Sequence, residues 1–168
     1  MNNREKNSYV RGQILRALLE LLDEKELGSV SVSELTERAG VGRASFYRNF
    51  ESKEDVLRRE SRRLTQEWRQ RWESRGGEFG ESLLNFYKER SGFYLALYRA
   101  GLFHIVLDDY LESLEIGPGT PNAEAYLKSA LAYMTYGWVV EWVRRGMPES
   151  GSELARMIRE ARPEAAGG

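Results

Sequence analysis

Apolar residues recur at intervals of three and four along almost the whole chain, and this spacing constrains the fold most. The first example is the stripe formed by Val10, Ile14, Leu18 and Leu22. An α-helix turns once every 3.6 residues, so this spacing places apolar side chains on one face of a helix. The alternation of apolar and polar residues that is typical of strands is scarce. The sequence therefore predicts an all-α protein of about nine helices.

Glycine, proline and helix-start signals divide the chain into predicted elements. Helices are expected at residues 4–25, 32–39, 43–50, 53–75, 82–90, 92–100, 102–114, 123–145 and 152–162. The glycine pair Gly76-Gly77 is the best candidate for a domain boundary. We expect an N-terminal unit at residues 1–52, a connecting long helix at residues 53–75 and a C-terminal unit at residues 76–168.

Composition excludes several kinds of site. Of the 168 residues none is cysteine and one, His104, is histidine. This argues against disulfides, thiolate nucleophiles, zinc–cysteine sites and multi-histidine metal sites, so we expect no metal, no cofactor and no enzymatic activity. No apolar run approaches membrane-spanning length, and the start of the chain has no apolar core of a signal peptide. We therefore expect no membrane partner and a cytoplasmic location.

The second and third predicted helices are short and are joined by the sequence AGVG, which gives them the spacing of a helix-turn-helix. A short turn containing glycine lets one helix cross behind another, so that the second can enter the major groove of DNA. Phe46 and Phe50, four residues apart, are expected to hold the third helix to the first and fourth helices. Its remaining side chains are then expected to face outward.

The outward-facing side chains have types that suit DNA. Arginine pairs with guanine or phosphate, asparagine with adenine, and a tyrosine hydroxyl with phosphate, while small side chains permit close approach. Lys53 begins the next helix, where a phosphate would also meet free backbone N–H groups. The candidates on the third helix are Arg43, Ala44, Ser45, Tyr47, Arg48 and Asn49.

The segment SVSVSELTERAGVGRASFYRNFESKEDVL resembles the N-terminal signature of the TetR/AcrR family of transcriptional regulators, without a gap from about residue 29 to 57. The resemblance implies that Tyr47 and Lys53 contact phosphates. It also implies that Arg43, Ser45 and Asn49 lie at bases or nearby phosphates, and that Ser33 makes a flanking contact. Gly42 stands where the family usually has a capping side chain. The implied function is a homodimeric, ligand-responsive repressor that binds a palindromic operator in double-stranded DNA.

The C-terminal half is expected to bind a small-molecule effector and to form the dimer. The helix at residues 123–145 has apolar stripes on two sides, so it must be buried by its own bundle and by a second body. A second copy of the chain is the economical partner. The dimer candidates are Leu127, Met134, Trp138, Trp142, Leu154 and Ile158. The aromatic candidates for a ligand pocket, for which ordinary core packing is the alternative, are Tyr94, Tyr98, His104, Tyr133 and Tyr136.

Two alternatives stay open at the level of sequence. The segment YMTYGWVVEWVRRGMPESGSELARMI resembles the C-terminal part of a TetR subgroup that includes regulators similar to the dihydroxyacetone kinase activator, which keeps a transcriptional activator or coactivator in view. The fourth helix also carries four arginines that form either part of a DNA surface or a solvated face. They are Arg58, Arg59, Arg62 and Arg63.

Overall fold

The computed structural model describes residues 3–161, and its regular structure is entirely helical, as the sequence predicts. Nine α-helices lie within this part of the chain. They are α1 (Asn3–Glu24), α2 (Val32–Arg38), α3 (Arg43–Asn49), α4 (Lys53–Arg75), α5 (Phe79–Glu89), α6 (Ser91–Arg99), α7 (His104–Ser113), α8 (Asn122–Arg144) and α9 (Gly151–Glu160). A 3₁₀ turn (Leu27–Ser29) connects α1 to the segment before α2.

Helix α1 is the centre of the N-terminal unit, because α2, α3 and α4 all pack against it. Ile14 and Leu18 on α1, Leu35 on α2 and Phe46 on α3 have no exposed surface. Phe50 follows α3, stays buried and lies 6.0 Å from Phe46 between ring centroids. These apolar contacts fix the angle at which α3 leaves the bundle.

The turn between α2 and α3 is a Schellman motif. Gly40 has a φ of 63°, a left-handed conformation that favours glycine. Its N–H donates to the carbonyl of Glu37, and the N–H of Val41 donates to the carbonyl of Thr36. Gly42 is the N-cap of α3 and supplies no capping side chain. The expected weak cap is therefore observed, and α3 depends on packing for its stability.

Helix α2 begins with half of a capping box. The Ser31 hydroxyl accepts a hydrogen bond from the N–H of Glu34 at 3.1 Å. The Glu34 carboxylate does not complete the box, because it binds the Lys25 ammonium at 2.5 Å. This ion pair also draws the end of α1 towards α2.

The remaining helices are attached to α4 through α5 and α7, which pack directly on it. Helix α7 packs on α4, helix α8 packs on α6 and α7, and helix α9 makes its most extensive contact with α5. Helix α4 ends directly before Gly76-Gly77. Helix α1 also packs on α6, so contacts cross between the predicted N-terminal and C-terminal units. The division into residues 1–52, 53–75 and 76–168 stays a prediction. Across the described part of the chain, none of the helices combines the length and apolarity needed to cross a bilayer.

The close contact of α9 with α5 gives a stability prediction. A Cβ at Gly151 would lie 2.3 Å from the backbone nitrogen of Asn85, so Gly151→Ala must displace α9 from α5. Overpacking of this kind costs about 1–3 kcal/mol, and we expect a lower melting temperature in thermal unfolding. Gly92→Ala is the control, because no atom lies within 4 Å of its added Cβ. An equal effect of the two substitutions would contradict the close approach.

Candidate nucleic-acid interface

Helix α3 presents a polar face to solvent. Arg43, Ala44, Tyr47 and Arg48 are exposed there, and Tyr47 keeps 56% of its surface accessible. The Tyr47 ring packs edge-on against the Phe46 ring, with 5.3 Å between the ring centroids. The ring is therefore held in place, while its hydroxyl group is free to reach outward. These four side chains lie where the sequence predicts them.

The exposed arginines of α3 differ from those of α4 in their partners. Among the described residues Arg43 makes no ion pair, and Arg48 donates only to the Ser45 hydroxyl at 2.8 Å. All four arginines of the α4 cluster bind carboxylates. The pairs are Arg58–Asp108, Arg59–Asp55, Arg62–Glu112 and Arg63 with Glu60 and Glu67. The positive charge of this four-arginine cluster is thus neutralised locally, whereas the positive charge of the α3 arginines is available to an anion.

Asn49 does not face outward, contrary to the sequence-based expectation. Its side chain is buried, with 6% of its surface exposed, and both ends of its amide have partners. The amide nitrogen donates to the carbonyl of Ser45 at 2.8 Å, and the amide oxygen accepts from Nε of Arg11 at 3.0 Å. A side chain that is buried and hydrogen-bonded through both its amide nitrogen and its amide oxygen is poorly placed to read a base.

Lys53 is engaged within the protein. Its ammonium donates to the carbonyl oxygens of Leu27 and Val30 at 2.7 and 2.5 Å. It thereby caps the 3₁₀ turn and joins α4 to the α1–α2 connection, which sequence spacing did not indicate. Ser45 is partly buried, and Ser33 is exposed in the first turn of α2, on the side of the motif that precedes the turn.

Comparison with known families agrees with this geometry. Residues 14–59 match the model for bacterial regulatory proteins of the tetR family. The match runs from the middle of α1 into the first turns of α4 and so contains the whole helix-turn-helix. Residues 14–59 are therefore a DNA-binding domain of the TetR type.

Two solved structures share the fold over most of the chain. Lin0861 from Listeria innocua has a TM-score of 0.77 at 16% identity, covering 96% of this chain and 93% of its own. The fatty acid degradation regulator FadR from Bacillus halodurans has a TM-score of 0.61 at 18% identity, covering 89% and 92%. No curated protein matches the sequence. The fold shared with these two structures therefore extends beyond residues 14–59 into the C-terminal helices.

A cavity of about 520 Å³ lies between α4, α5, α7 and α8. Its walls are mainly apolar, and two positively charged side chains stand at its edge: Arg69, which donates to the carbonyl of Ser113, and Lys128, which pairs with Glu124. The apolar lining residues are Trp68, Trp72, Phe79, Leu83, Leu131 and Ala132. The spacing of Trp68 and Trp72, four residues apart on α4, can be read from the sequence. The opposite wall of the cavity cannot, because it comes from helices that lie far away along the chain.

The aromatic residues proposed from the sequence do not line this cavity. Tyr94 is buried in the core, where its ring lies 4.1 Å from that of Tyr87, and burial raises its pKa well above the ordinary value. Tyr98 and Tyr136 pack around Phe103. His104 and Tyr133 are exposed. These five side chains point in different directions because they belong to three helices whose relative rotation the sequence does not encode locally.

Polar contacts join α7 to α4 beside the cavity. The Ser61 hydroxyl donates to the Asp109 carboxylate at 2.5 Å in a buried position. Burial raises the pKa of Asp109, while the Ser61 hydrogen bond and Arg62 act in the opposite direction. Tyr110, the next residue, lines the cavity and shares a 2.6 Å hydrogen bond with the Tyr87 hydroxyl. Helix α7 therefore touches both the cavity and the long helix that leads to the DNA-binding domain.

The N-terminal half of α8 has an exposed apolar face. Its side chains keep between 40% and 70% of their surface accessible and are Tyr126, Leu127, Leu131, Tyr133 and Met134. Met134 and Trp138 also border a groove of about 360 Å³ that Ile158 of α9 closes on the other side. Leu154 is half-buried and packs against the core.

Trp142 departs from the expected dimer face. It is buried in the protein's own core, with 3% of its surface exposed. The 15 residues from Leu127 to Trp142 advance about 60° beyond four full helical turns, so the apolar stripe drifts around α8. The stripe faces solvent at Leu127 and has turned into the bundle by Trp142.

The buried carboxyl of Asp109 gives a pH-dependent prediction. Its pKa is higher in the folded than in the unfolded state, so its contribution to stability is fully present below pH 3.8 and is lost as the pH rises through the folded-state pKa. Asp109→Asn removes the charge and keeps an oxygen that can accept from Ser61. We expect the variant to melt above the wild type at pH 7, with the difference shrinking towards pH 4 in thermal unfolding.

Asp23→Asn provides the control, because Asp23 is an exposed aspartate on α1 whose ion pair with Arg99 is screened by water. We expect it to leave the pH dependence of the melting temperature unchanged. A lower melting temperature for Asp109→Asn at pH 7 would show instead that the Ser61–carboxylate bond outweighs the cost of burying the charge.

Proposed function

We propose that the protein is a ligand-responsive transcriptional repressor that binds a palindromic operator as a homodimer. The observation that carries the proposal is the exposed face of α3, where Arg43, Tyr47 and Arg48 stand free of carboxylates on a TetR-type helix-turn-helix. A guanidinium without an acidic partner is available to phosphate or guanine. A regulator of this kind works where the chromosome is, which places it in the cytoplasm.

The short recognition helix supports the proposal of a dimer. Helix α3 has seven residues, of which four face outward, so one copy reaches few bases. Two copies related by a two-fold axis would place their recognition helices in successive major grooves about 34–36 Å apart. The exposed apolar face of α8 supports this assembly, because large contiguous apolar surface on a monomer is typical of an interface.

The cavity between α4 and α8 supports regulation by a small molecule. Its volume of about 520 Å³ and its apolar walls suit a largely apolar effector, and its edge carries charged side chains of both signs: Arg69, Lys128, Glu73 and Glu115. Binding would favour one arrangement of α4 and α7 over another, so that the spacing of the two DNA-binding domains no longer fits the operator. The alternative role, an activator or coactivator that works through a protein partner, shares the DNA surface but needs no release on effector binding.

DNA binding is tested by substitutions on α3. An operator is first selected from a library of random duplexes with the purified wild-type protein, and affinities are measured by fluorescence anisotropy. We expect Tyr47→Phe to weaken binding to the operator and to a random duplex alike, because a lost phosphate contact is independent of sequence. We expect Arg43→Ala to change the selected sequence, with a cost of about 1–3 kcal/mol at the affected base pair.

Arg63→Ala is the matched control for these variants, because it also removes one positive charge from an exposed helix but from a residue already bound to Glu60 and Glu67. Lys53→Ala is a poor probe, because it would also remove two hydrogen bonds to backbone carbonyls. If the wild-type protein selects no sequence and binds no duplex at low salt, the proposed function is wrong.

Dimerisation through α8 is tested by Leu127→Asp. Leu127 keeps 61% of its surface exposed, so an aspartate is tolerated in the monomer but is buried in the proposed dimer. In sedimentation equilibrium we expect the wild type at twice the chain mass of 19.4 kDa and the variant at the monomer mass. Tyr9→Asp, at an equally exposed apolar residue on α1, is expected to remain dimeric. A dimeric Leu127→Asp would place the interface elsewhere.

A further inference from the structure

A chain of hydrogen bonds joins α1 to the recognition helix. Nε of Arg11 donates to the Asn49 amide oxygen at 3.0 Å, and the Asn49 amide nitrogen donates to the Ser45 carbonyl at 2.8 Å. The Ser45 hydroxyl in turn accepts from the Arg48 guanidinium at 2.8 Å. Ser45 and Asn49 lie one turn apart on α3, so both arginines are tied to the same turn of the recognition helix.

Within this series of hydrogen bonds, Asn49 orients the side chain of Arg11. The Asn49 side chain is buried, and the bond from its amide nitrogen to the Ser45 carbonyl fixes the orientation of the amide. The amide oxygen is therefore presented to α1 in one direction. Arg11 is exposed, yet the bond at Nε holds the plane of its guanidinium group in place.

The terminal nitrogens of Arg11 have no hydrogen-bond or ion-pair partner among the described residues. Across the cavity between α1 and α4, Arg59 and Arg63 line the same space, and both bind carboxylates. Arg11 thus combines a fixed orientation with an unneutralised charge. A guanidinium held in this way loses little conformational freedom when an anion binds to its remaining N–H groups.

We propose that Arg11 and Arg48 bind backbone phosphates of DNA on either side of the Ser45–Asn49 turn, and that Asn49 is the positioning residue for Arg11. This inference rests on the proposed function, because the anion is a phosphate of the bound duplex. It extends the DNA surface from α2 and α3 to α1 and changes the role of Asn49 from base reading to support.

The first experiment measures DNA binding by Arg11→Ala at several salt concentrations, with the selected operator and a random 30-base-pair duplex. A charge-assisted hydrogen bond contributes about 1.5–3 kcal/mol, so affinity for both duplexes should fall roughly tenfold or more. The slope of log affinity against log salt concentration should become less steep by about one, which corresponds to the loss of one phosphate contact. Arg59→Ala, a neighbouring arginine bound to Asp55, should change neither quantity.

The second experiment tests the role of Asn49 by a double-mutant cycle. Asn49→Ala should weaken binding in the wild-type background and have no further effect in the Arg11→Ala background, because it acts through Arg11. The sequence selected by Asn49→Ala should equal that of the wild type. A changed sequence, or an equal loss of affinity in both backgrounds, would show that Asn49 contacts DNA itself and would overturn the inference.

A third variant covers the case in which Asn49→Ala does not fold. Arg11→Lys keeps the charge but has no Nε to bind Asn49, so its affinity should lie between those of the wild type and Arg11→Ala. Affinity equal to the wild type would show that positioning by Asn49 is irrelevant. If the wild type binds the duplexes and Arg11→Ala binds them equally well, this inference is wrong and the proposed function stands. If the wild type binds neither, the proposed function itself is wrong.

Discussion

The burial of Phe46 and Phe50 in the core that α3 shares with α1 and α2 is the contact on which the DNA-binding surface depends. Helix α3 has seven residues and no capping side chain, and an isolated helix of this length is unstable in water. Burying an aromatic side chain contributes about 1.5–3 kcal/mol, and Phe46 has no exposed surface at all. The apolar side of α3 therefore both forms the helix and sets its rotation. That rotation decides that Arg43 and Tyr47 face solvent.

Much of the fold could be predicted from the sequence, because its signals are local. The period of three to four residues, the Ser31 cap and the Gly40 turn act within one or two helical turns, and all nine predicted helices are found in the described part of the chain. The outward direction of Arg43 and Tyr47 follows from the same period. Asn49 and Lys53 could not be placed in this way, because their partners are Arg11, Leu27 and Val30, 23 to 38 residues away.

The C-terminal half shows the limit of periodicity more strongly. Two apolar sides on α8 indicated two packing partners. The pattern does not say where along the helix the side chains stop packing against the protein's own bundle and become exposed to solvent. The observed division runs along the helix, with Leu127 exposed and Trp142 buried. The cavity likewise needs walls from four helices, so its position depends on their relative rotation. Aromatic content alone could not distinguish Tyr94, in the core, from Trp72, at the cavity.

Helix α4 gives these separate features a common frame. Its first residue, Lys53, binds two carbonyls of the α1–α2 connection, its middle binds α7 through Ser61, and its last turns carry Trp68 and Trp72 at the cavity wall. A helix of 23 residues with packed side chains moves as a unit. In the proposed function, a ligand that changes the contact of α7 with the tryptophans therefore acts on the same rigid element that holds the DNA-binding domain. Because the four clustered arginines of α4 already bind carboxylates, this coupling would change the position of the recognition helix and leave its charge unchanged.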